Sequence, residues 1–272
     1  MKKWTGERLE TFVYSRDTID HLHRYVIALN FVRNKIVLDI ASGEGYGTNL
    51  LAKKAKFAYG VDISEVSINK AKLKYSQQNL QFLVGSTSRI PIDSSSVDVV
   101  ISFETIEHHE QHKEMMLEIK RVLRPNGILI ISTPDKLYYS DRRNFENNFH
   151  VKELYKREFV ELLFKYFKNL QLLTQQFVNG NSIILDDKNK NRISLYTGEY
   201  LKIEQKEFEP LYMIAIVSDD VFKNQNDSIF DGNEITNKGL EMQNSIIYNS
   251  KSYKLGHFIL KPFKYLKKKL NR

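Results

Sequence analysis

Residues 37 to 47 read Val37-Leu38-Asp39-Ile40-Ala41-Ser42-Gly43-Glu44-Gly45-Tyr46-Gly47, an apolar run that ends in small residues and glycines. An apolar helical pattern follows from Leu50 onward. The order therefore predicts a strand, a glycine turn and a helix, which is how a doubly wound α/β sheet begins. Glycines let the backbone take a positive φ and pass close to a ligand. The free N–H groups at the start of the helix would face whatever binds above the turn.

A carboxylate ends the second predicted strand, which runs from Phe57 to Val61 and stops at Asp62. It lies about twenty residues beyond the glycines, where a carboxylate can accept hydrogen bonds from the hydroxyls of a ribose. The glycine spacing is Asp-x-Ala-x-Gly-x-Gly, which differs from the phosphate-binding G-x-G-x-x-G of dinucleotide enzymes. The pattern favours a nucleoside ligand over a dinucleotide.

With these residues the chain resembles the class I S-adenosylmethionine-dependent methyltransferases. Asp39, Ala41, Gly43 and Gly45 match the first motif of that family, and Asp62 matches its ribose-binding acidic residue. The resemblance implies an α/β fold with a doubly wound, seven-stranded, mostly parallel sheet and S-adenosyl-L-methionine as the cofactor. Ala41 takes the place of the motif's first glycine, a substitution that is tolerable if its φ stays negative.

Further apolar runs predict the other five strands of such a sheet. They are expected at Leu80 to Val84, Val97 to Ser102, Ile128 to Thr133, Leu170 to Phe177 and Leu211 to Val217. We expect residues 1–222 to form the methyltransferase domain, residues 223–250 a linker and residues 251–272 a basic tail. An insertion at about 179–209 should be a hairpin in which residues 183–185 pair with residues 193–196 across a polar tip at 186–191.

Other candidate cofactor contacts follow from the same resemblance. Ser86 stands where the family's adenine-binding motif usually has an aspartate. Ile63, Thr87 and Phe103 are further candidates and lie beside the ends of predicted strands. The helical pattern before the first strand contains an unusually polar stretch from Asp20 to Tyr25. This stretch is either a solvated face or a site at which Arg24 binds the methionine carboxylate of the cofactor, for which a guanidinium has suitable geometry.

A cluster of carboxylates and histidines follows the fourth strand. If a helical turn begins there, Glu104, Glu107 and His108 share one face, and His150 comes from a later loop able to reach the same edge. The E-x-x-E-H motif with a later histidine resembles the metal-assisted O-methyltransferases, including those that act on the terminal ribose of small RNAs. The resemblance implies a divalent metal held by all four residues, and these donors suit Mn²⁺, Fe²⁺ or Co²⁺ better than Mg²⁺.

Two alternatives to a metal remain for this cluster. His108, Glu107 and His150 could instead act as metal-free catalytic residues, or the motif could only cap the strand and pack the cofactor. A sugar hydroxyl is a poor nucleophile when neutral, so it needs a base or a cation that lowers its pKa. An amine acceptor needs neither as much, so the cluster favours O-methylation.

The acceptor class is suggested by a second resemblance. Four segments resemble methyltransferases of bacterial surface-polysaccharide gene clusters: Gly6 to Arg8, His21 to Tyr25, Asn148 to Glu153 and Ser252 to Gly256. They imply a sugar hydroxyl of a surface glycan or its precursor as the acceptor. The alternatives are an RNA ribose or other small-molecule O-methyltransferase and a non-catalytic scaffold that binds the cofactor.

The net charge of +8 is concentrated at the end of the chain. Residues 251–272 hold eight Lys or Arg and no acid, and the remaining 33 basic residues are matched by 33 acidic ones. A neutral body argues against a nucleic-acid partner. Without cysteine, disulfides and thiolate metal sites are excluded. The opening lacks an apolar signal region and no apolar run reaches about 18 residues, so we expect a cytoplasmic protein.

The basic tail has an apolar stripe of its own, formed by Leu255, Phe258, Ile259, Phe263, Leu266 and Leu270. Lysines flank this stripe, which is the profile of a helix that lies on a membrane surface. Pro262 predicts two short helices with a break near Lys261. The tail could contact the inner face of the membrane or dock on the surface of the domain itself.

Overall fold

The computed structural model describes residues 9–189 and 193–270, the last ten of them by backbone alone. The helices are α1 (Arg16–Leu29), α2 (Tyr46–Ala52), α3 (Glu65–Lys74), α4 (His112–Val122), α5 (Lys156–Phe164), α6 (Asn233–Asn249) and α7 (Lys251–Leu270). The strands are β1 (Ile36–Ile40), β2 (Phe57–Asp62), β3 (Leu80–Val84), β4 (Val97–Phe103), β5 (Leu123–Pro134), β6 (Asn169–Val178), β7 (Asn181–Asp186), β8 (Leu195–Glu199), β9 (Lys202–Lys206), β10 (Tyr212–Ser218) and β11 (Ser228–Asp231).

The main sheet confirms the predicted doubly wound α/β fold. Its strand order is β11-β7-β6-β10-β5-β4-β1-β2-β3. The neighbouring strands β3, β2, β1, β4 and β5 are parallel. β10 lies between β5 and β6 and is antiparallel to both. The carboxyl ends of the parallel strands therefore meet at one edge, where this class of sheet binds its ligands.

The two faces of the sheet pack against different helices because strand residues alternate between them. Leu38, Val100 and Leu129 point to the face covered by α4 and α5. Their neighbours Val37 and Val99 point to the opposite face, which α1 and α2 cover. Both faces are apolar, as expected for strands that are buried on both sides.

The sheet has nine strands where seven were predicted, and the predicted hairpin between residues 183–185 and 193–196 is wrong. Residues 183–185 pair instead with β6 and β11, whereas β8 pairs with β9 in a separate two-stranded sheet. The cause is the turn Asn179-Gly180, whose residues have φ of 44° and 87°. Two positive φ values in a two-residue connection suit an Asn-Gly turn, a strong hairpin signal. Part of the predicted tip, residues 190 and 191, lies outside the described residues.

The segment predicted as a linker, residues 223–250, contains β11 and the 17-residue helix α6. The polar composition of this segment did not predict a strand or a helix, because both depend on close contact with the rest of the chain. A Cβ added at Gly239 would lie 2.9 Å from the Tyr14 carbonyl oxygen, and one added at Gly232 would lie 2.5 Å from Ile19. These two glycines therefore let α6 begin against the domain.

The tail forms one helix, α7, and the predicted break near Lys261 is wrong. Pro262 lies inside the helix, where a proline removes one backbone hydrogen bond and can bend the helix without ending it. The boundary lies instead at Ser250, whose Oγ accepts a hydrogen bond of 3.2 Å from the Tyr253 N–H and so caps α7. The side chains of Phe263, Leu266 and Leu270 lie outside the described residues, as does the opening segment Gly6 to Arg8.

Candidate cofactor and acceptor site

A cavity of about 530 Å³ opens at the carboxyl edge of the parallel strands. Its walls come from the loops after β1 to β4, from α1, from the segment after β5 and from the start of β10. Most of the sequence-predicted residues line it: Ala41, Gly43, Asp62, Ile63, Ser86, Thr87, Phe103, Glu104, Glu107, His108 and His150. Three predicted residues, Arg24, Asp39 and Gly45, lie behind this lining.

The two glycines of the first turn serve different purposes. Gly43 has φ +56° and a Cβ added to it would meet nothing within 4 Å, so it leaves open space at the cavity wall. Gly45 has φ +80°, and a Cβ there would lie 2.5 Å from the ring of Phe82. Gly43 therefore leaves room for a ligand, whereas Gly45 is required by packing.

The condition under which Ala41 was expected to be tolerated, a negative φ, is not met, because its φ is +62°. The left-handed conformation brings Cβ close to the following carbonyl and costs about 1 to 2 kcal/mol in residues other than glycine. The turn after β1 imposes this conformation. It keeps the shape that a glycine would adopt there, at some cost in stability.

The carboxylate of Asp62 ties the glycine turn to the end of β2. Its Oδ2 accepts a hydrogen bond of 2.9 Å from the Gly43 N–H, and its Oδ1 accepts one of 2.8 Å from the Ser64 N–H. Each carboxylate oxygen can accept more than one hydrogen bond. Asp62 thus lines the cavity, and its binding to a ribose hydroxyl stays a prediction.

Asp39 supports the turn from below. It accepts hydrogen bonds from Thr48 Oγ1 at 2.7 Å and from the Tyr25 hydroxyl at 3.2 Å, which fasten α2 and α1 to β1. Burial raises the pKa of Asp39 to about 7, although both hydrogen bonds favour the ionised form and so lower it. Asp39 therefore contributes to the site indirectly, by holding the glycine turn in its shape.

Arg24 is fully buried behind the cavity wall. Its Nε donates to Gln175 Oε1 at 2.7 Å, and its guanidinium lies 4.3 Å over the ring of Tyr212. Its Nη1 lies 3.5 Å from Glu104 Oε1 in an ion pair, yet within the described chain neither Nη1 nor Nη2 makes a hydrogen bond. Arg24 thus contacts two lining residues from behind, and its binding to a cofactor carboxylate stays a prediction.

Other lining residues of α1 escaped the sequence analysis. Asp17, Asp20 and His21 share one helical face and border the cavity, and His21 Nδ1 lies 3.0 Å from the hydroxyl of Tyr46 beside the glycine turn. Burial, assisted by the positive charge of Arg24, lowers the pKa of His21, so its ring is neutral at pH 7. The polar stretch in α1 was the available signal, and helical spacing from Asp17 would have selected His21.

The loop after β3 meets the loop after β4 across the cavity. Thr87 Oγ1 lies 3.2 Å from His109 Nε2, and Ser86 Oγ lies 3.3 Å from Ser88 Oγ. Ile63 is exposed beside Asp62, so an apolar surface adjoins the ribose position. An adenine ring could pack on this side chain.

The predicted face of Glu104, Glu107 and His108 is not formed. Glu104 follows β4 with φ +50°, and Ile106–His108 make a helical turn of the 3-10 type that does not include it. Glu104 instead accepts a 2.6 Å hydrogen bond from Ser132 Oγ. Glu107, His108 and His150 do come together, since one ligand atom of each lies within 4.8 Å of the others.

Hydrogen bonds fix the tautomers of the two histidines. His108 Nδ1 lies 2.8 Å from the Phe149 carbonyl oxygen, which can only accept, so Nδ1 carries the proton and Nε2 is the acceptor nitrogen. Asn147 Oδ1 accepts from the Phe149 N–H, so its Nδ2 donates to His150 Nε2 at 3.0 Å. His150 Nδ1 then donates to Glu153 Oε1 at 2.5 Å.

Glu107 is buried beneath these rings. Burial, and then repulsion from Glu104, raises its pKa well above the ordinary value. Its Oε2 accepts a 3.2 Å hydrogen bond from Thr133, whereas its Oε1 has no hydrogen-bond partner among the described residues. Its backbone carbonyl accepts from the N–H groups of Val151 and Lys152 and so draws His150 to the cavity.

Comparison with known proteins gives this cavity a family context. The family described as "Methyltransferase domain" matches residues 38–131, from β1 to β5. A probable S-adenosylmethionine-dependent methyltransferase of Mycolicibacterium smegmatis is 36% identical over 128 residues, which are 47% of this chain and 49% of the relative. A phthiotriol/phenolphthiotriol dimycocerosates methyltransferase of Mycobacterium leprae is 29% identical over 117 residues, or 42% and 43% of the two chains.

A solved structure agrees in fold. The YcgJ protein of Bacillus subtilis superimposes with a TM-score of 0.56 at 15% identity, covering 74% of this chain and 100% of that one. The chain spans about half the length of the curated relatives it matches. Both of those relatives are mycobacterial methyltransferases, so they support the predicted class and not its resemblance to polysaccharide-cluster enzymes. Residues 38–131 of the chain therefore match a methyltransferase-domain family, and the fold around them agrees with that of a solved structure.

Proposed function

We propose that the chain is an S-adenosylmethionine-dependent O-methyltransferase that acts on a sugar hydroxyl of a bacterial surface glycan or its precursor. One observation carries the chemistry: His108 lines the cavity with Nδ1 bonded to a backbone carbonyl, which makes Nε2 the basic nitrogen of the ring. The methyl group of a sulfonium has a good leaving group already. The enzyme must therefore position the acceptor and remove its proton.

The cofactor would occupy the side of the cavity formed by the glycine turn. Gly43 leaves space for it, Asp62 accepts from its ribose and Ile63 offers an apolar surface to its adenine. His21 and Tyr46 stand at the opposite end of the turn, within reach of the methionine part. This arrangement directs the reactive methyl group toward the histidines.

The acceptor would occupy the side formed by His108, His150 and Tyr139. In the proposed step, His108 Nε2 takes the hydroxyl proton as the oxygen attacks the methyl carbon and the bond from that carbon to sulfur breaks. His150 is held by Glu153 and stacks on Tyr139 with ring centroids 5.3 Å apart. The stacked rings of His150 and Tyr139 therefore form a rigid surface against which a sugar can be positioned.

A divalent metal is the second way to activate the hydroxyl. Glu107, His108 and His150 supply one oxygen and two nitrogens, which fit Mn²⁺ better than Mg²⁺. Such an ion would lower the pKa of the acceptor hydroxyl. The raised pKa of Glu107 and the amide of Asn147 at His150 Nε2 both oppose metal binding, so we favour the metal-free base.

Two findings support a hydroxyl acceptor outside nucleic acid. The M. leprae relative is named for phthiotriol, a triol by its name. The chain up to residue 250 carries equal numbers of basic and acidic residues, whereas binding of RNA depends on concentrated positive charge.

Transfer of a labelled methyl group to lipid-linked glycans, nucleotide sugars and RNA oligomers tests the proposal. We expect product with a glycan or sugar acceptor, persisting in the presence of a chelator. Product with RNA alone would overturn the acceptor class. Activity that is lost with a chelator and restored by Mn²⁺ would overturn the metal-free base and support the metal.

A further inference from the structure

The last two helices contain an apolar surface that the domain leaves uncovered. Gly239 of α6 lies close to the backbone of Tyr14, yet none of residues 233–260 is buried. Leu255, Phe258 and Ile259 lie at positions i, i+3 and i+4 of α7 and are 62%, 76% and 54% exposed. Such a stripe would be covered if the helix docked on the domain, so the described contacts oppose that alternative.

In sequence, the stripe continues into residues 261–270 of α7, which the structure describes by backbone alone. At helical spacing, Phe263, Leu266 and Leu270 fall in line with the three exposed residues. Leu240 is also apolar and 52% exposed, but it lies on α6. It therefore stands outside the stripe and offers a matched control.

The charge beside the stripe indicates what covers it. Residues 251–272 contain eight basic residues and no acid, and Lys251 and Lys254 begin this series on the exposed helix. A second copy of the same helix would bring like charges together. An anionic bilayer surface instead offers negative headgroups to the lysines and an apolar layer to the stripe.

We propose that α7 binds the surface of anionic phospholipid membranes, lying in the plane of the interface with its apolar stripe inserted. Within the described part of the chain no helix is long and apolar enough to cross a bilayer. Binding is therefore reversible and depends on both the stripe and the charge. The proposal does not depend on the reaction catalysed in the cavity.

Co-sedimentation of the full-length chain with vesicles tests this. Vesicles of phosphatidylcholine containing about a third phosphatidylserine should bind it, whereas pure phosphatidylcholine should bind far less. Binding should weaken as salt rises, because salt screens the lysines. Replacing Lys254 by Gln should weaken binding about fivefold, the effect of one basic residue near an anionic surface.

The apolar contribution is tested by a pair of substitutions. Phe258→Ser should weaken binding about tenfold or more, since a large apolar side chain no longer enters the membrane. Leu240→Ser should leave binding within about twofold, since that residue lies outside the stripe. Unchanged circular dichroism and thermal unfolding would show that both variants fold.

Three results would overturn the proposal. One is no binding to anionic vesicles at low salt, and another is equal loss of binding in the Phe258 and Leu240 variants. The third is a chain that ignores vesicles but dimerises through the stripe, shown by sedimentation equilibrium and abolished by Phe258→Ser. That result would assign the surface to a second copy.

Discussion

The two sides of the cavity differ in how their residues are brought together. The cofactor side uses Gly43, Asp62 and Ser86, each at or just after the carboxyl end of one of three successive parallel strands. The acceptor side combines His108, His150 and residues as distant as Tyr212. A site built from successive strand ends can be read from a local motif, whereas one built from distant segments depends on tertiary contacts.

The largest expected effect concerns the acceptor side. His108→Ala removes the proposed base and should lower kcat about 100- to 10,000-fold, the range for a general base. Affinity for S-adenosylmethionine, measured by titration calorimetry, should stay nearly unchanged, since His108 is separate from the glycine turn. The exposed His257 on α7 gives a control, and His257→Ala should keep full activity. Near-normal kcat in His108→Ala would make the cluster structural.

The next prediction concerns the foundation of the cofactor side. The folded pKa of Asp39 is about 7, above the unfolded value near 3.9, so the folded state binds the extra proton between these values. Stability contributed by this group is complete below pH 4 and is lost as the pH rises toward 7, by roughly 4 kcal/mol at most. The variant Asp39→Asn should lack this loss. Urea unfolding of both proteins at pH 4.5 and 7 measures it, and parallel pH dependences would contradict the assignment.

A substitution at Glu153 tests the contribution of His150 to the acceptor side. Glu153 orients His150 through Nδ1 and is itself held by Ser140 Oγ at 2.6 Å. Glu153→Gln should lower kcat about tenfold, because a neutral amide accepts a weaker hydrogen bond from His150 Nδ1 than a carboxylate does and so holds the ring less firmly. A merely structural role would lower the free energy of unfolding and leave kcat of the folded variant unchanged, which rate and urea-unfolding measurements together would reveal.

The smallest expected effect concerns the strained residue of the glycine turn. Ala41→Gly should raise the free energy of unfolding by roughly 0.5 to 1 kcal/mol, since relief of the positive φ outweighs the entropy of glycine. Ala28→Gly, within α1, should instead lower it by about 1 kcal/mol or more. Destabilisation by both substitutions would show that the turn bears no strain at Ala41.

The same contrast explains what the sequence could predict. All seven predicted strands are found. Each is a short apolar run, and these runs follow one another in the order of strands, turns and helices that the fold requires. The glycine turn and Asp62 were placed correctly for the same local reason. The extension by β7 was missed although Asn179-Gly180 signalled it, and α6 was missed because its order depends on glycine contacts with distant residues.

The candidate acceptor site was predicted only in part. His108 and His150 were identified as neighbours, and the structure brings their rings to 5.1 Å. Glu104 was grouped with them on the assumption of a regular helix, which its positive φ prevents. Tyr139 and Tyr212 carry no motif, and only the pairing of β10 with β5 brings Tyr212 to this edge.

The central claim is that the glycine turn and Asp62 form the binding site of S-adenosylmethionine. Titration calorimetry of the cofactor into the wild-type chain and into Asp62→Ala tests it most directly, with folding of the variant checked by circular dichroism. The wild-type chain should bind, and the variant should bind more weakly by about 1 to 3 kcal/mol, the scale of a hydrogen bond to a charged group. Equal affinity in the folded variant, or no binding by the wild-type chain, would contradict the account.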